Sequence, residues 1–324
     1  MTTRDVPRTG RLLMNLYPAR YRAAHGEDIA TVFTETTEGM GSRAMLRERL
    51  DLATHALRLR LRIGPTDPAG RVLAGAAPVA LALGVGRCMF YLLPYLHEAA
   101  NRVRHPYPGL GFVYALVSAV MLLADQLPWL LALVFAVAGR WRLARAAGAF
   151  AAFLTVALQW WEGTYAVWQI GQMAGLAVVG LLLLLAPSDL VNVTSRGRWE
   201  IAGIALGVAL PMIAANRLGA VVVGGVTVAT IGLLPIWLCT VAAVVLMRRL
   251  SGQRPDTLRA VGVVLATLPW LAHLAVAAVT DPDKEGLAAW FTGFCLVPLA
   301  VAAAAAGAVQ LLRRPRATEP PNPA

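Results

Sequence analysis

From residue 72 onward the chain alternates long apolar runs with short polar turns. Eight such runs predict helices, at about 72–93, 112–138, 144–162, 165–186, 199–216, 226–248, 258–279 and 287–312. Most approach the ~20 residues that a helix needs to cross a bilayer; 144–162 and 199–216 are at the short end. The pattern is clearest between Leu127 and Phe150. There an apolar run stops at Gly139, Arg140, Arg142 and Arg145 follow, and the next apolar run begins at once. A helix leaving the hydrocarbon, a basic turn held in the cytoplasm and a re-entering helix account for that order.

Two stretches leave their boundaries open. Gly109–Gly139 is long for one crossing and is interrupted by Asp125, Gln126 and Pro128; it reads as one span kinked near the proline. Gly219–Met247 contains Pro235, so its span can begin earlier than 226. A faint internal echo relates LPWLLALVFAVAGRWR (127–142) to LPIWLCTVAAVVLMRR (234–249), and RAAGAF (145–150) to RAVGVV (259–264). A true duplication would give two parallel four-helix halves; Ala/Val/Leu-rich runs also produce such echoes by chance.

Before residue 72 the periodicity changes. Gly10–Gly41 predicts two short helices, the first carrying Leu12, Leu13, Leu16 and Tyr17 and stopping at Gly26 as a C-cap. The second starts at Glu27 and Asp28, which suit a helix N-terminus, and turns Ile29, Val32 and Phe33 to one face. A third helix, about Ser42–Arg62, places Leu46, Leu50, Ala53, Leu57 and Leu61 on one stripe, with Arg43, Arg47, Arg49, Asp51 and Arg58 facing away. That stripe packs on the other two helices in a small bundle. Its basic end, Arg58, Arg60 and Arg62, is also placed to lie on anionic headgroups. Residues 1–63 thus form a prefix, 64–71 a linker with Pro65 and Pro68, 72–312 the span bundle, and 313–324 a basic, Pro-rich tail.

Composition sharpens this picture. The chain is 58% hydrophobic and 15% charged, against roughly 45–50% and 25% in soluble domains, and its mean hydropathy is +0.61. Net charge is +11, and every basic residue except Lys284 is arginine. Because the arginines sit in the prefix and in short turns, they fit membrane orientation and give no expectation of nucleic-acid binding. Counting turns settles the orientation. Arg140, Arg142, Arg145, Arg196, Arg198, Arg248, Arg249, Arg254, Arg259, Arg313, Arg314 and Arg316 fall on one side, against Arg102, Arg104, Arg217 and Lys284 on the other. Eight spans therefore put both termini in the cytoplasm, and the acidic Asp281-Pro282-Asp283 loop outside. The polar first 70 residues lack a signal-peptide core, and the arginine bias suggests a bacterial cytoplasmic membrane.

The stretch LYPARYRAAHGEDIATVF (Leu16–Phe33), followed by the arginine-rich amphipathic helix, resembles the helical cytoplasmic prefix of actinobacterial integral membrane proteins of unknown activity. It is also similar to prefixes preceding some permeases. Such proteins often lie beside small transcription regulators, so the resemblance implies a signalling or accessory role. It rests on Leu-Tyr-Pro, Tyr-Arg and Gly-Glu-Asp in the prefix alone and carries over no active residue.

Candidate chemistry is sparse. Charged groups inside spans cost at least ~2.5–3.5 kcal/mol, which makes each a functional hypothesis. Arg87 and Asp125, with Gln126 beside the Pro128 kink, are a candidate pair lining a polar path; the alternative has Arg87 snorkelling to headgroups and Asp125 bonded to a neighbouring helix. Gln159–Gln169 gathers three tryptophans, Tyr165 and Glu162 at an outer turn, either as interfacial anchors or as a ligand lid with Glu162 as its polar group. Gly171/Gly175 and Gly203/Gly207 have the spacing of close helix approach.

Cys88, Cys239 and Cys295 lie singly in apolar runs, so no disulfide framework or metal site is expected. Asn101 stands where a zincin needs its second histidine after His97-Glu98, and no phosphate-binding loop or nucleophile elbow occurs. No cofactor and no enzymatic activity are expected. The sequence thus predicts an all-α membrane protein with a three-helix cytoplasmic prefix and eight spans. Its expected role is regulatory or accessory, with the bilayer as one partner and a cytoplasmic protein bound through residues 10–62 as another. A permease or transporter subunit is the rival.

Overall fold

The computed structural model describes residues 15–64, 67–104, 111–163, 167–187, 190–191, 194–217, 222–223, 226–227, 234–251, 256–280 and 285–313. It divides the chain into two compact units, Met1–Arg71 and Val72–Ala324.

The first unit contains α1 (Ala19–Thr37) and α2 (Ser42–Arg60). Where three prefix helices were expected, two are found among the described residues, and Leu12 and Leu13 lie outside them. The break falls at Pro18, not at Gly26. Pro18 is extended at the N-cap (φ −55°, ψ 141°), where its missing N–H costs nothing, and its carbonyl accepts the Arg22 N–H at 2.9 Å. Gly26 is simply traversed, because one interior glycine costs only ~1 kcal/mol relative to alanine. The real stop comes at Gly39, whose φ of +81° suits glycine and reverses the chain into α2.

Tyr17 and Ala56 form the core of this unit, surrounded by Tyr21, Ile29, Leu52 and Leu59. The Tyr17 and Tyr21 rings stack at 5.6 Å, and His55 tilts against Tyr17 at 5.9 Å. Burial, reinforced by Tyr21, raises the Tyr17 pKa above its ordinary value. Asn15 ties the entering chain down: its carbonyl accepts from Arg60 Nη2 at 2.7 Å, and its side-chain oxygen from Arg22 Nη1 at 2.8 Å. The packed face of α2 is therefore Leu52, Ala56 and Leu59, not the stripe expected from periodicity. Leu46, Leu57 and Leu61 of that stripe are exposed.

The second unit, among the described residues, is built from eight helices: α3 (Pro68–Arg104), α4 (Gly111–Val137), α5 (Trp141–Glu162), α6 (Val167–Leu185), α7 (Ser195–Arg217), α8 (Leu234–Leu250), α9 (Thr257–Thr280) and α10 (Glu285–Arg313). Within the 109–139 stretch one helix, Gly111–Val137, runs through Pro128. Among the described residues, four helical segments are long and apolar enough to cross a membrane: Pro68–Leu92, Val120–Val137, Trp141–Trp161 and Ser195–Ala214. Shorter apolar segments occupy Gln169–Leu185, Thr257–Leu271 and Cys295–Val309. The span expected from 226 starts instead at Leu234. Ahead of it β1 (Val222–Val223) pairs antiparallel with β2 (Val226–Thr227), with Val223 opposite Val226. Gly224-Gly225 between β-branched residues is a two-residue hairpin signal, and it outweighs apolarity here.

The hub of this unit is α3. Its apolar segment is 72% buried, against 28–39% for the other three candidate spans. Alanine and glycine make that possible, because a helix surrounded on all sides must let its neighbours approach closely. A Cβ on Gly75 would come within 2.6 Å of the Arg259 carbonyl of α9, and one on Gly262 would run into the backbone of Val72 and Ala76. At Gly84 the Trp129 ring of α4 fills the space of a side chain, and at Gly86 Val208 of α7 does so. Gly148 of α5 receives Leu81. Around this hub α4 packs on α5, α5 on α6, α6 on α9, and α8, α9 and α10 on one another. Gly175 meets the Pro269 carbonyl of α9, whereas Gly203 and Gly207 face open space.

The arginine-bearing helix ends are tied together. Arg145 donates to the Ala186 carbonyl just beyond α6, and the Arg198 guanidinium occupies the space over Gly139. Arg249 of α8 pairs with Glu200 of α7 at 2.9 Å. Arg259 of α9 pairs with Asp256 at 3.5 Å.

Gly262→Ala is expected to destabilise the detergent-solubilised protein by about 1–3 kcal/mol, because a methyl group there overpacks a backbone crossing. Gly203→Ala, where the methyl group meets nothing, should change stability by no more than about 0.5 kcal/mol. Denaturant unfolding of both variants makes the comparison, and equal effects would contradict the α3–α9 crossing.

Candidate functional site

A buried polar cluster is assembled from three helices. On α4, Asp125 and Gln126 precede Pro128, whose missing N–H leaves the Ala124 carbonyl without its helical donor. The Asp125 carboxyl accepts from Gln126 Nε2 at 2.5 Å and from Thr155 Oγ1 of α5 at 2.5 Å. Thr155 also donates to the Ala151 carbonyl at 2.9 Å, so one hydroxyl proton serves two acceptors. From α3, Cys88 Sγ approaches the Gln126 carbonyl at 3.5 Å. Arg87, Gln126 and Thr155 are all buried, and Asp125 is half-buried. Gln126 Oε1 is the exception to the satisfied pattern: it is buried and accepts no hydrogen bond.

Arg87 takes no part in an ion pair with Asp125. Its guanidinium lies over the Tyr91 ring, 4.8 Å from the centroid, where a cation–π contact substitutes for hydration. The two are linked along the chain instead: Arg87 precedes Cys88 on α3, and Cys88 approaches the carbonyl of Gln126, the residue after Asp125. The expected pair thus becomes a five-residue cluster of Arg87, Cys88, Asp125, Gln126 and Thr155. In it neutral donors hold the carboxyl and an aromatic face holds the cation. Such an arrangement can pin α4 to α5 and can exchange a proton locally.

Sequence reasoning missed Thr155 and Cys88. The signal for Thr155 is a hydroxyl inside an apolar run, visible once every polar residue of the spans is weighed rather than the charged ones alone. Another missed pairing joins Cys239 of α8 and Cys295 of α10, free thiols buried against each other with Ile236 and Leu271 around them. The Glu162 side chain and Tyr165 lie outside the described residues; Trp160 and Trp161 beside them are exposed. Arg58, Arg60 and Arg62 belong to the first unit. Arg60 is committed to Asn15, Arg58 is half-buried, and Arg62 is exposed with φ +52° just after α2. Among the described residues no group of His, Cys, Asp and Glu is placed to hold a metal ion.

Comparison with protein-family models, with characterised proteins and with solved structures finds no match.

Thr155→Val should lower stability by about 1–3 kcal/mol, because it strips a donor from a half-buried carboxyl. Combined with Asp125→Leu it should cost less than the two single changes summed, since the orphaned partner is then removed as well. A double-mutant cycle read by denaturant unfolding checks this, and strict additivity would contradict the α4–α5 bond.

Proposed function

We propose that this chain is a multi-pass protein of the bacterial cytoplasmic membrane, with eight spans and both termini cytoplasmic. Its role is regulatory or accessory rather than enzymatic, and the prefix, residues 10–62, is its docking module for a cytoplasmic protein. The lipid bilayer is its other partner. Four apolar helices of crossing length support the membrane setting. Orientation is supported by the gathering of Arg145, Arg198, Arg249 and Arg259 at connected helix ends, since basic turns stay on the cytoplasmic side.

The observation that carries the docking role is the exposed stripe of α2. The first unit satisfies its own core through Tyr17, Ala56, Leu52 and Leu59, yet leaves Leu46 57% and Leu57 48% exposed along the same helix and Leu61 47% exposed at its C-cap. An amphipathic helix with one face packed and a second apolar stripe open has the form used in helix-to-helix recognition. The resemblance of LYPARYR to the prefix of integral membrane proteins of unknown activity, which implies a signalling or accessory role, is in keeping with this reading. The structural roles of Tyr17, Pro18, Tyr21 and Arg22 give that motif a physical meaning: they build the platform on which α2 is mounted.

A transporter subunit is the second reading, favoured by one feature, the orphaned Gln126 Oε1 beside Asp125 and Arg87. The cavity of about 360 Å³ at the arginine-bearing helix ends is a separate feature, lined by neither Asp125 nor Arg87.

Replacing Leu46 and Leu57 with glutamine should leave the protein folded and inserted while abolishing capture of a cytoplasmic partner crosslinked to the wild type in cells. If the wild type captures no partner, or if the substituted protein captures the same partner equally well, the docking role is wrong.

A further inference from the structure

The cavity at the arginine-bearing helix ends is unused by the role proposed above. It lies where the N-terminus of α7, the C-terminus of α8 and the first turn of α9 meet α3, and it holds about 360 Å³. Arg196, Arg248, Arg249 and Arg259 line it, with Glu200 as the one acidic residue among the described lining. Glu200 is already committed, because Arg249 Nη2 binds its carboxylate at 2.9 Å. Arg259 reaches Asp256 only at 3.5 Å, and its Nε is buried without a hydrogen bond. Arg196 and Arg248 enter no ion pair among the described residues.

The cavity therefore concentrates more positive charge than its acidic residues cancel. It does so at a helix N-terminus, where the macrodipole adds to the attraction for an anion. The opposite wall is apolar, formed by Pro78 and Val79 of α3 with Ile201 and Ile204 of α7. Guanidinium groups suit phosphate in particular, since their forked donors match its oxygens. Basic pockets between helices on the cytoplasmic side hold anionic headgroups by this means.

We infer that this cavity binds a phosphate group, held by Arg196, Arg248 and Arg259 over the N-terminus of α7. Two sources share that chemistry: the headgroup of an anionic phospholipid, with its glycerol against Val79 and Ile204, or a free phosphate from the cytoplasm. The geometry of the cavity carries the inference without the prefix. The lipid source rests on the spanning arrangement proposed above, and the free source does not.

The test uses the full-length protein in a neutral detergent and titrates short-chain phosphatidylglycerol, phosphatidylcholine of the same chain length, and inorganic phosphate, with binding read by the shift in thermal unfolding. Phosphatidylglycerol is expected to bind saturably and phosphatidylcholine not to. Arg196→Ala with Arg248→Ala should weaken binding by about tenfold or more. Arg142→Ala, an exposed arginine outside the cavity, should leave it unchanged. Glu200→Gln keeps the side-chain shape and frees Arg249, so it should tighten binding, a gain that a misfolded variant does not mimic.

Phosphatidylglycerol binding well below the concentration needed for inorganic phosphate assigns the site to lipid. Equal or tighter binding of inorganic phosphate assigns it to a soluble ligand and leaves the phosphate inference standing without the lipid source. Saturable binding of neither, or binding that Arg196→Ala with Arg248→Ala leaves intact and Glu200→Gln fails to tighten, overturns the inference.

Discussion

The architecture of the second unit depends on how closely helices come to α3. Hydrocarbon surroundings offer no hydrophobic gain for putting one apolar helix against another, so association there rests on van der Waals contact at short range. At the Gly75–Gly262 crossing, with Ala74, Ala76, Ala77 and Ala80 buried around it, α3 and α9 meet backbone to backbone. Gly84 and Gly86, further along α3, accept Trp129 and Val208 in the same way. The helix that meets the rest of the unit on most sides is thus the one with the smallest side chains over these turns. Larger residues on α3 would push α4, α7 and α9 outward together.

Polar groups are arranged around that apolar hub by the cost of burying them. At the helix ends, arginines close onto the carbonyl of Ala186, the carboxylate of Glu200 and the turn at Gly139. Within the unit, Asp125 is tolerated because Thr155 and Gln126 both reach it, and Arg87 because Tyr91 offers it an aromatic face. One end therefore carries an excess of cations around a cavity, while the interior holds a few neutralised polar contacts.

Sequence pattern located the helices because apolar run length is a one-dimensional signal. Each of the eight predicted runs overlaps one helix, and within the ambiguous 109–139 stretch one helix runs through Pro128. Pattern failed where two local rules competed. At Gly26 a C-cap signal lost to continued helix, and at Val222–Thr227 a Gly-Gly hairpin signal prevailed over apolarity. It also failed where the answer is a choice among faces, since α2 has two apolar stripes and only packing decides that Leu52, Ala56 and Leu59 turn inward. The candidate site was half legible. Charge drew attention to Arg87 and Asp125, but Thr155, Cys88 and the arginine cavity require knowing which helices are neighbours. The echo between RAAGAF and RAVGVV gains a physical reading in the same way: Gly148 and Gly262, its shared glycines, both seat against α3.

The central claim is that eight helices cross the membrane with the arginine-bearing ends in the cytoplasm. Lys284 is the single lysine of the chain and falls in the last turn assigned to the outside, so an amine-reactive, membrane-impermeant reagent reports on one side chain. Intact cells treated with the reagent should yield protein labelled at Lys284, with the N-terminal amine labelled only after lysis, and Lys284→Arg should abolish the external signal. Protection of Lys284 in intact cells, with labelling appearing only once the membrane is opened, would contradict the account.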